Sequence, residues 1–341
     1  MISNEVKINT VFLYWLIVSL ILVYLIIIIG GLTRLTNSGL SIIEWEIFKG
    51  ILPPLNKTSW DIYFEKYKLI PQYKLLNNNM TLEKFKIIFY WEYFHRLLAR
   101  LIGLFFFIPL IFFYFSKEIE KKYLNVCLII FFLILIQGVF GWYMVKSGLI
   151  NNTTVSHYRL SLHLTTAIII ISTIFWLIKN VYKKTHKPFF NLSKKNIPFL
   201  FLIFLIISQV IIGAFVSGLD AGMIYQTWPK MGDTFFPNDI SFTNLYILLD
   251  FNNHSLVQFY HRNLAYIIII YALLFTFYIF KTNQIILYKP LIVLLLILFT
   301  QIILGITTLL SGVNIYIASA HQIVSVLLVL SVINLHYFNA K

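Results

Sequence analysis

The chain has 341 residues, 59% of them hydrophobic and 12% charged, with a formal net charge of +14 at pH 7. A mean hydropathy of +0.82 excludes an ordinary soluble domain of this size. The positive balance would suit a nucleic-acid binder, but the placement of the charges along the chain excludes that class as well.

The N-terminal stretch "MISNEVKINT" is not arginine-rich and carries an acid, so no transit peptide is expected. A membrane span needs roughly 20 mainly apolar residues. Eight such segments follow in order, near 11–30, 87–115, 124–145, 157–178, 197–217, 255–280, 289–310 and 318–338. Residues 11–30 are long for a signal-peptide core and no A-x-A site follows, so they count as the first span. Only helices and closed barrels satisfy their backbone in lipid, and these segments are too continuously apolar for barrel strands. The expected fold is an all-α polytopic membrane protein of eight transmembrane helices.

With the N-terminus inside, the inner loops collect Lys117, Lys121 and Lys122, then Lys179, Lys183, Lys184, Lys187, Lys194 and Lys195, then Lys281 and Lys289. The short outer loops hold little beyond Lys146 and Lys230, and the 218–254 loop carries Asp220, Asp233, Asp239 and Asp250. This is the positive-inside pattern, and it puts both termini inside. The charge therefore records topology, with lipid as the partner and no nucleic acid. The long outer loop 31–86 contains "TSWDIYFEKYKL", with Thr58 or Ser59 as a cap and apolar residues at helical spacing. Short amphipathic helices lying on the outer membrane surface are expected there. The single cysteine, Cys127, falls in the third span, where it can form no intramolecular disulfide and reads as a small apolar residue.

An internal repeat sets the architecture. "EYFHRLLA" (92–99) aligns with "QFYHRNLA" (258–265), and "QGVFGWYMVKSG" (137–148) with "QIILGITTLLSG" (301–312). "LSLHL" (160–164) aligns with "ASAHQ" (318–322), and "GGLTRLTNSG" (30–39) loosely matches "GAFVSGLDAG" (213–222). The halves 1–190 and 191–341 are thus two copies of a four-helix bundle. An even number of spans separates them, so the repeat is parallel.

Of eight histidines, the repeat selects four: His95 and His163 in the first half, His261 and His321 in the second. Two imidazoles per bundle are too few for a closed zinc site, and the several glutamates of a di-iron bundle are missing. A facing pair suits axial ligation of haem iron, one haem per half near the outer surface. His157 lies about 240° around its helix from His163, His186 lies in a basic loop, and His336 has no partner by repeat. His254 lies two turns outward of His261, where it could sit above a haem edge, and its role stays open.

Arg96 and Arg262 follow their histidines in both copies, and Arg34 ends the first span. Arginine binds carboxylates bidentately, so these three are candidates for haem propionates. Arg100 has no counterpart. Glu92 lies one turn outward of His95, whereas the second copy has Gln258. A carboxyl beside one haem alone can act as acid, base or charge stabiliser, which makes the first half the chemical site.

The stretches "GGLTRLTNSGLSIIEWEIFKGILPPLN", "FEKYKLIPQYKLLNNNMTLEKFK", "EYFHRLLARLIG" and "SGLDAGMIYQTWPKMGD" resemble the haem A synthase family in its proteobacterial and mitochondrial branch, over nearly the whole chain. The resemblance implies an oxidoreductase that converts haem O, delivered by haem O synthase, into haem A for cytochrome oxidase. A ring methyl becomes a formyl group, by two successive hydroxylations. It further implies that His95 and His163 face the substrate haem, that His261 and His321 ligate haem B as cofactor, and that Glu92 matches the family's important glutamate. One branch carries a cysteine pair in the first outer loop; this chain has none there, so its electron acceptor stays open. The Ile-, Asn- and Lys-rich usage points to a bacterial inner membrane. Oligomeric state, a homo-oligomer included, is not fixed by sequence. The competing class is a di-haem transmembrane electron carrier without methyl chemistry, which the histidines and arginines fit equally well.

Overall fold

The computed structural model describes residues 2–44, 49–150, 152–240 and 245–340. Residues 45–48 of the first outer-loop motif, and 241–244 of the second outer loop, lie outside the described residues. Ten α-helices occur among the described residues: α1 (Ile2–Leu35), α2 (Lys57–Lys68), α3 (Pro71–Leu76), α4 (Leu82–Ser116), α5 (Lys121–Gly148), α6 (His157–Lys183), α7 (Ile197–Gly218), α8 (His254–Lys281), α9 (Tyr288–Leu310) and α10 (Ile315–Asn339). All but α2 and α3 are long and apolar enough to cross a membrane, giving the eight expected spans. The protein is all-α, with one isolated bridge, Met231 to Thr234, as the extended pairing among the described residues.

Helix starts follow from side chains that accept the otherwise unpaired first N–H groups. Thr81 caps α4 by accepting from Lys84 N, Asn253 caps α8 by accepting from Leu256 N, and Asn314 caps α10 by accepting from Tyr316 N. The cap of α2 is Asn56, which accepts from Ser59 N at 2.8 Å. Neither Thr58 nor Ser59 fills that place, because the helix begins at Lys57 and both already lie inside its first turn.

The chain folds as two compact units, residues 1–171 and 172–341. The division falls inside α6, earlier than the 190/191 boundary drawn from the repeat. The C-terminal part of α6 belongs to the second unit because its aromatic residue packs there: Trp176 lies 4.9 Å from Phe189 and 5.0 Å from Tyr337, ring centre to ring centre. His336 is fully buried in the same group, stacked 5.4 Å from Trp176 and within 2.9 Å of the Phe189 carbonyl through Nε2. Lys187 donates to the carbonyls of Tyr337 and Ala340 at the end of α10. A cation on the last carbonyls of a helix satisfies unpaired acceptors and complements the helix dipole. His336 and Lys187 thus tie a loop to the C-terminal helix.

In the first unit, α4 extends well beyond its spanning part. Its N-terminal turns carry Phe85, Phe89 and Tyr93, and these form one cluster with Trp60, Phe64 and Tyr67 of α2 and with Leu40. The apolar face of α2 is therefore turned onto α4 instead of being free to enter lipid. Six aromatic rings interlock there, with Trp60 edge-on to Phe89 at 5.0 Å and Phe64 tilted on Phe85 at 5.1 Å. The long loop is thereby a folded cap on α4.

Phe85 is fully buried in that cap. Phe85→Ala should cost about 3–5 kcal/mol of local stability, the usual price of truncating a buried phenylalanine. Limited proteolysis of the detergent-solubilised protein should then cut within residues 49–56 at least tenfold faster, while the membrane helices stay protected.

Candidate functional site

The four repeated histidines occupy one kind of place. Each ring presses against a glycine on a neighbouring helix. A Cβ built on Gly30 would lie 3.0 Å from Cε1 of His95; on Gly141, 3.1 Å from His163; on Gly213, 3.0 Å from His261; and on Gly305, 3.0 Å from His321. Such distances are tighter than nine in ten Cβ contacts, so any larger residue would push the imidazole aside by a few tenths of an ångström, and glycine lets Cε1 of each ring come up against the neighbouring helix. In each ring Nδ1 is buried and makes no full hydrogen bond among the described residues.

The pairing is explicit in the second unit. The rings of His261 and His321 lie 6.5 Å apart, centre to centre, at 82°. Two metal–imidazole bonds of about 2 Å on opposite sides of one ion give a separation of roughly that size. His95 and His163 are close enough to interact electrostatically. Among the described residues no group of three or more His, Cys, Asp or Glu side chains comes together for a metal. The donor set is two imidazoles and nothing else, which fits a haem whose macrocycle supplies the remaining ligands and does not fit a closed zinc site.

Above His95 the long loop is clasped to α4. Glu92 is buried and accepts from Ser41 Oγ at 2.7 Å, from the backbone N–H of Ile42 at 2.9 Å, and from Arg96 Nη2 at 2.6 Å. Arg96 also donates to the carbonyls of Ile42 (2.8 Å) and Glu44 (3.2 Å). The second unit repeats the device. Arg262 donates to the carbonyls of Tyr225, Thr227 and Lys230, and Gln258 donates to Tyr225 at 3.0 Å. The difference is ionic: Glu92 pairs with Arg96, while Gln258 has no counter-charge to offer Arg262. A buried ion pair stands only when its remaining donors and acceptors are engaged, as they are here.

The other arginines also hold backbone. Arg100 donates to Gly50 O at 3.1 Å, and Arg34 to Asn37 Oδ1 at 2.9 Å in an exposed position. His254 is the first residue of α8 and lines a surface cavity of about 440 Å³ with Asp239, Asp250 and Ser255. Asp239 there accepts from Tyr225 Oη and Ser255 Oγ. Burial works against its charge, but hydrogen bonds from Ser255 and Tyr225 outweigh that and hold its carboxyl below the ordinary carboxylate range. Cys127 is buried and free.

Three features escaped sequence reasoning. Ser41 and the Ile42 N–H hold Glu92, and nothing local marks a contact across some fifty positions. The glycine cradles were visible as aligned glycines in the repeat, without a role. So were the glutamines four residues before two of them, Gln137 and Gln301; Gln209, four before Gly213, lay outside the aligned stretches.

The cytochrome oxidase assembly protein family matches the chain over residues 13–333. A haem A synthase of Pelagibacter ubique is 50% identical over 332 residues, 96% of this chain and 96% of its own. Haem A synthases of Rickettsia felis and Rickettsia prowazekii are 42% and 43% identical, each over 96% of this chain and 97% of theirs.

Gly213→Leu should displace His261 from its place and abolish haem retention in the second unit. Pyridine-haemochrome content per protein should fall by about half if each unit holds one haem. Gly103→Leu is the control, because nothing lies within 4 Å of a Cβ there, and it should leave the content unchanged.

Proposed function

The chain belongs to the haem A synthase family of cytochrome oxidase assembly proteins, and from that membership we propose that it oxidises the ring methyl of haem O to the formyl group of haem A. It is a multi-pass bacterial membrane protein, and its place is the inner membrane. The observation that carries the reading is the pairing of half-buried imidazoles, each with its Nδ1 buried in a glycine cradle, together with a buried carboxylate in one unit alone.

In this reading the substrate haem lies between His95 and His163, and haem B lies between His261 and His321. Haem B, when bound, supplies one-electron transfer. The chain's residues do the rest. The helices bury Nδ1 of each histidine, and the histidines would fix the plane of the macrocycle. Arg34, Arg96 and Arg262 stand at the ends of the spans where propionates would emerge, as charge partners for them. Arg96 and Arg262 would reach them while still holding the loops through backbone carbonyls.

Glu92 has a specific capacity. A carboxylate offers about four acceptor positions, and three donors occupy Glu92: two on Oε2 and one on Oε1. Oε1 can accept one more, one helical turn from His95. Glu92 is thus placed to hold a water, and to take its proton, as the methyl is oxidised in two successive hydroxylations. Haem O comes from a haem O synthase, and an acceptor outside the chain takes the electrons.

Haem extraction and chromatography of the full-length protein, made in cells that supply haem O, should give haem A beside haem B. Haem B alone, with haem O present and never converted, would replace this reading with the di-haem electron carrier. Glu92→Gln should reduce formyl haem at least tenfold while haem B is retained, whereas Ser41→Ala should keep most of it. Equal losses in the two variants would reduce Glu92 to a loop anchor.

A further inference from the structure

A pocket lined by none of the four histidines lies where the second outer loop meets α8. It holds about 280 Å³ and is walled by Met231, Phe235 and Phe236 of the loop and by Phe259, Asn263 and Tyr266 of α8. Phe236 meets Phe259 edge-on at 5.1 Å, ring centre to ring centre. Small-molecule pockets run from roughly 300 to 1,000 Å³, so this one takes a single ring and not a macrocycle. Arg262 also lines it, and its Nε is buried without a partner among the described residues. Asn263 uses one Nδ2 hydrogen on the carbonyl of Phe259, at 2.9 Å, and a carboxamide has a second to give.

The pocket and His261 belong to opposite sides of α8. Phe259, Asn263, Tyr266, Ile270, Leu273 and Phe277 follow at steps of three and four. That spacing sets them along one helix face, roughly 120–200° around from His261. Tyr266, Ile270, Leu273 and Phe277 are exposed, so the pocket is the N-terminal end of a stripe open to lipid. One helix, about 10 Å across, separates it from the imidazole. The aligned face of α4 is different. Leu97 stands where α8 has Asn263 and packs on the aromatic cap, and Arg100 stands where α8 has Tyr266 and donates to Gly50 O. A carboxamide in a membrane-spanning helix is costly unless something meets it, and Leu97 shows that this register does not require one.

We infer that this pocket binds the ring of a lipid-soluble quinone, with Asn263 and Tyr266 donating to its carbonyls, and that the quinone accepts the electrons of the reaction. The inference rests on the proposed function. Oxidation of a methyl to a formyl group with oxygen from water releases four electrons and four protons: R–CH3 + H2O + 2 Q → R–CHO + 2 QH2. Each quinone is reduced to a quinol, and the methyl carbon is what is oxidised. An acceptor of two electrons and two protons that dwells in lipid meets this need beside the resident haem. Its ring suits the phenylalanine walls, its carbonyls suit the donors, and its apolar tail suits the stripe along α8. A phospholipid acyl chain would fit the stripe and leave Asn263 and Tyr266 idle.

The test uses the full-length protein purified with its haems. After reduction and removal of the reductant, haem re-oxidation is followed by stopped flow, without air, against rising decylubiquinone. The rate should saturate. Asn263→Leu and Tyr266→Phe should each raise the half-saturating concentration about three- to tenfold, at equal haem content and with unchanged re-oxidation by ferricyanide. An azido-substituted quinone should, on illumination, label residues 229–236 or 259–266, and decylubiquinone should compete. The inference is overturned if re-oxidation never saturates, or if both variants saturate as the unsubstituted protein does. It is also overturned if the label falls elsewhere or is displaced by phospholipid alone. Should the variants fail to fold, the position of the label decides. Formyl haem made without saturable quinone reduction overturns the inference and leaves the synthase. Saturable reduction with no formyl haem removes the synthase and leaves the quinone site.

Discussion

An imidazole resting on a bare stretch of helix backbone is the contact around which both units are organised. It recurs four times, each time with a glycine whose added Cβ would meet Cε1 at 3.0–3.1 Å. The contact leaves Nδ1 of each ring buried and without a full hydrogen bond among the described residues, which is costly for a polar atom. Glycine in a helix also costs about 1 kcal/mol relative to alanine, which adds to the expense of each cradle. Fold and function meet in this contact, because the same close approach that packs the helices aims the rings at one another, as at His261 and His321.

The outer loops are built onto this frame by a second recurring device, an arginine one residue after a histidine that gathers loop carbonyls. Arg96 takes those of Ile42 and Glu44, and Arg262 those of Tyr225, Thr227 and Lys230. Guanidinium suits this task, since its planar fork presents several donors at fixed angles. The two copies then diverge by one atom type. Glu92 gives the first clasp a full negative charge, and Gln258 leaves the second neutral. Because α2 and α3 fold back over α4, the charged clasp lies beneath an aromatic cap, whereas at the second loop Phe236 and Phe251 meet Phe259 and Tyr260 of α8 directly.

Much of this was legible in the chain. Hydropathy alone placed eight spans, since length and apolarity in lipid leave the backbone no other choice. The repeat alone singled out His95, His163, His261 and His321, and the structure gives all four the same surroundings. Less legible were the helix cap at Asn56 and the inward turn of α2. Amphipathic spacing says that one face of a helix is apolar, but not whether lipid or protein will cover it. His336 and Lys187 looked like a histidine without a partner and a topological charge. Their packing against Trp176, Phe189 and the end of α10 depends on a chain reversal that no local pattern encodes.

The sequence by itself determined that this is a helical membrane protein of the haem A synthase family, with four histidines in matching positions and a carboxylate beside only one of them. These are properties of residue type and spacing, and spacing survives without coordinates. Tertiary structure alone decided who holds whom. Ser41 and Ile42 reach Glu92 across some fifty residues, and Arg262 gathers the carbonyls of Tyr225, Thr227 and Lys230 from more than thirty residues away. Such contacts join segments that are remote in the chain, and the energy that selects them exists only once the helices have packed.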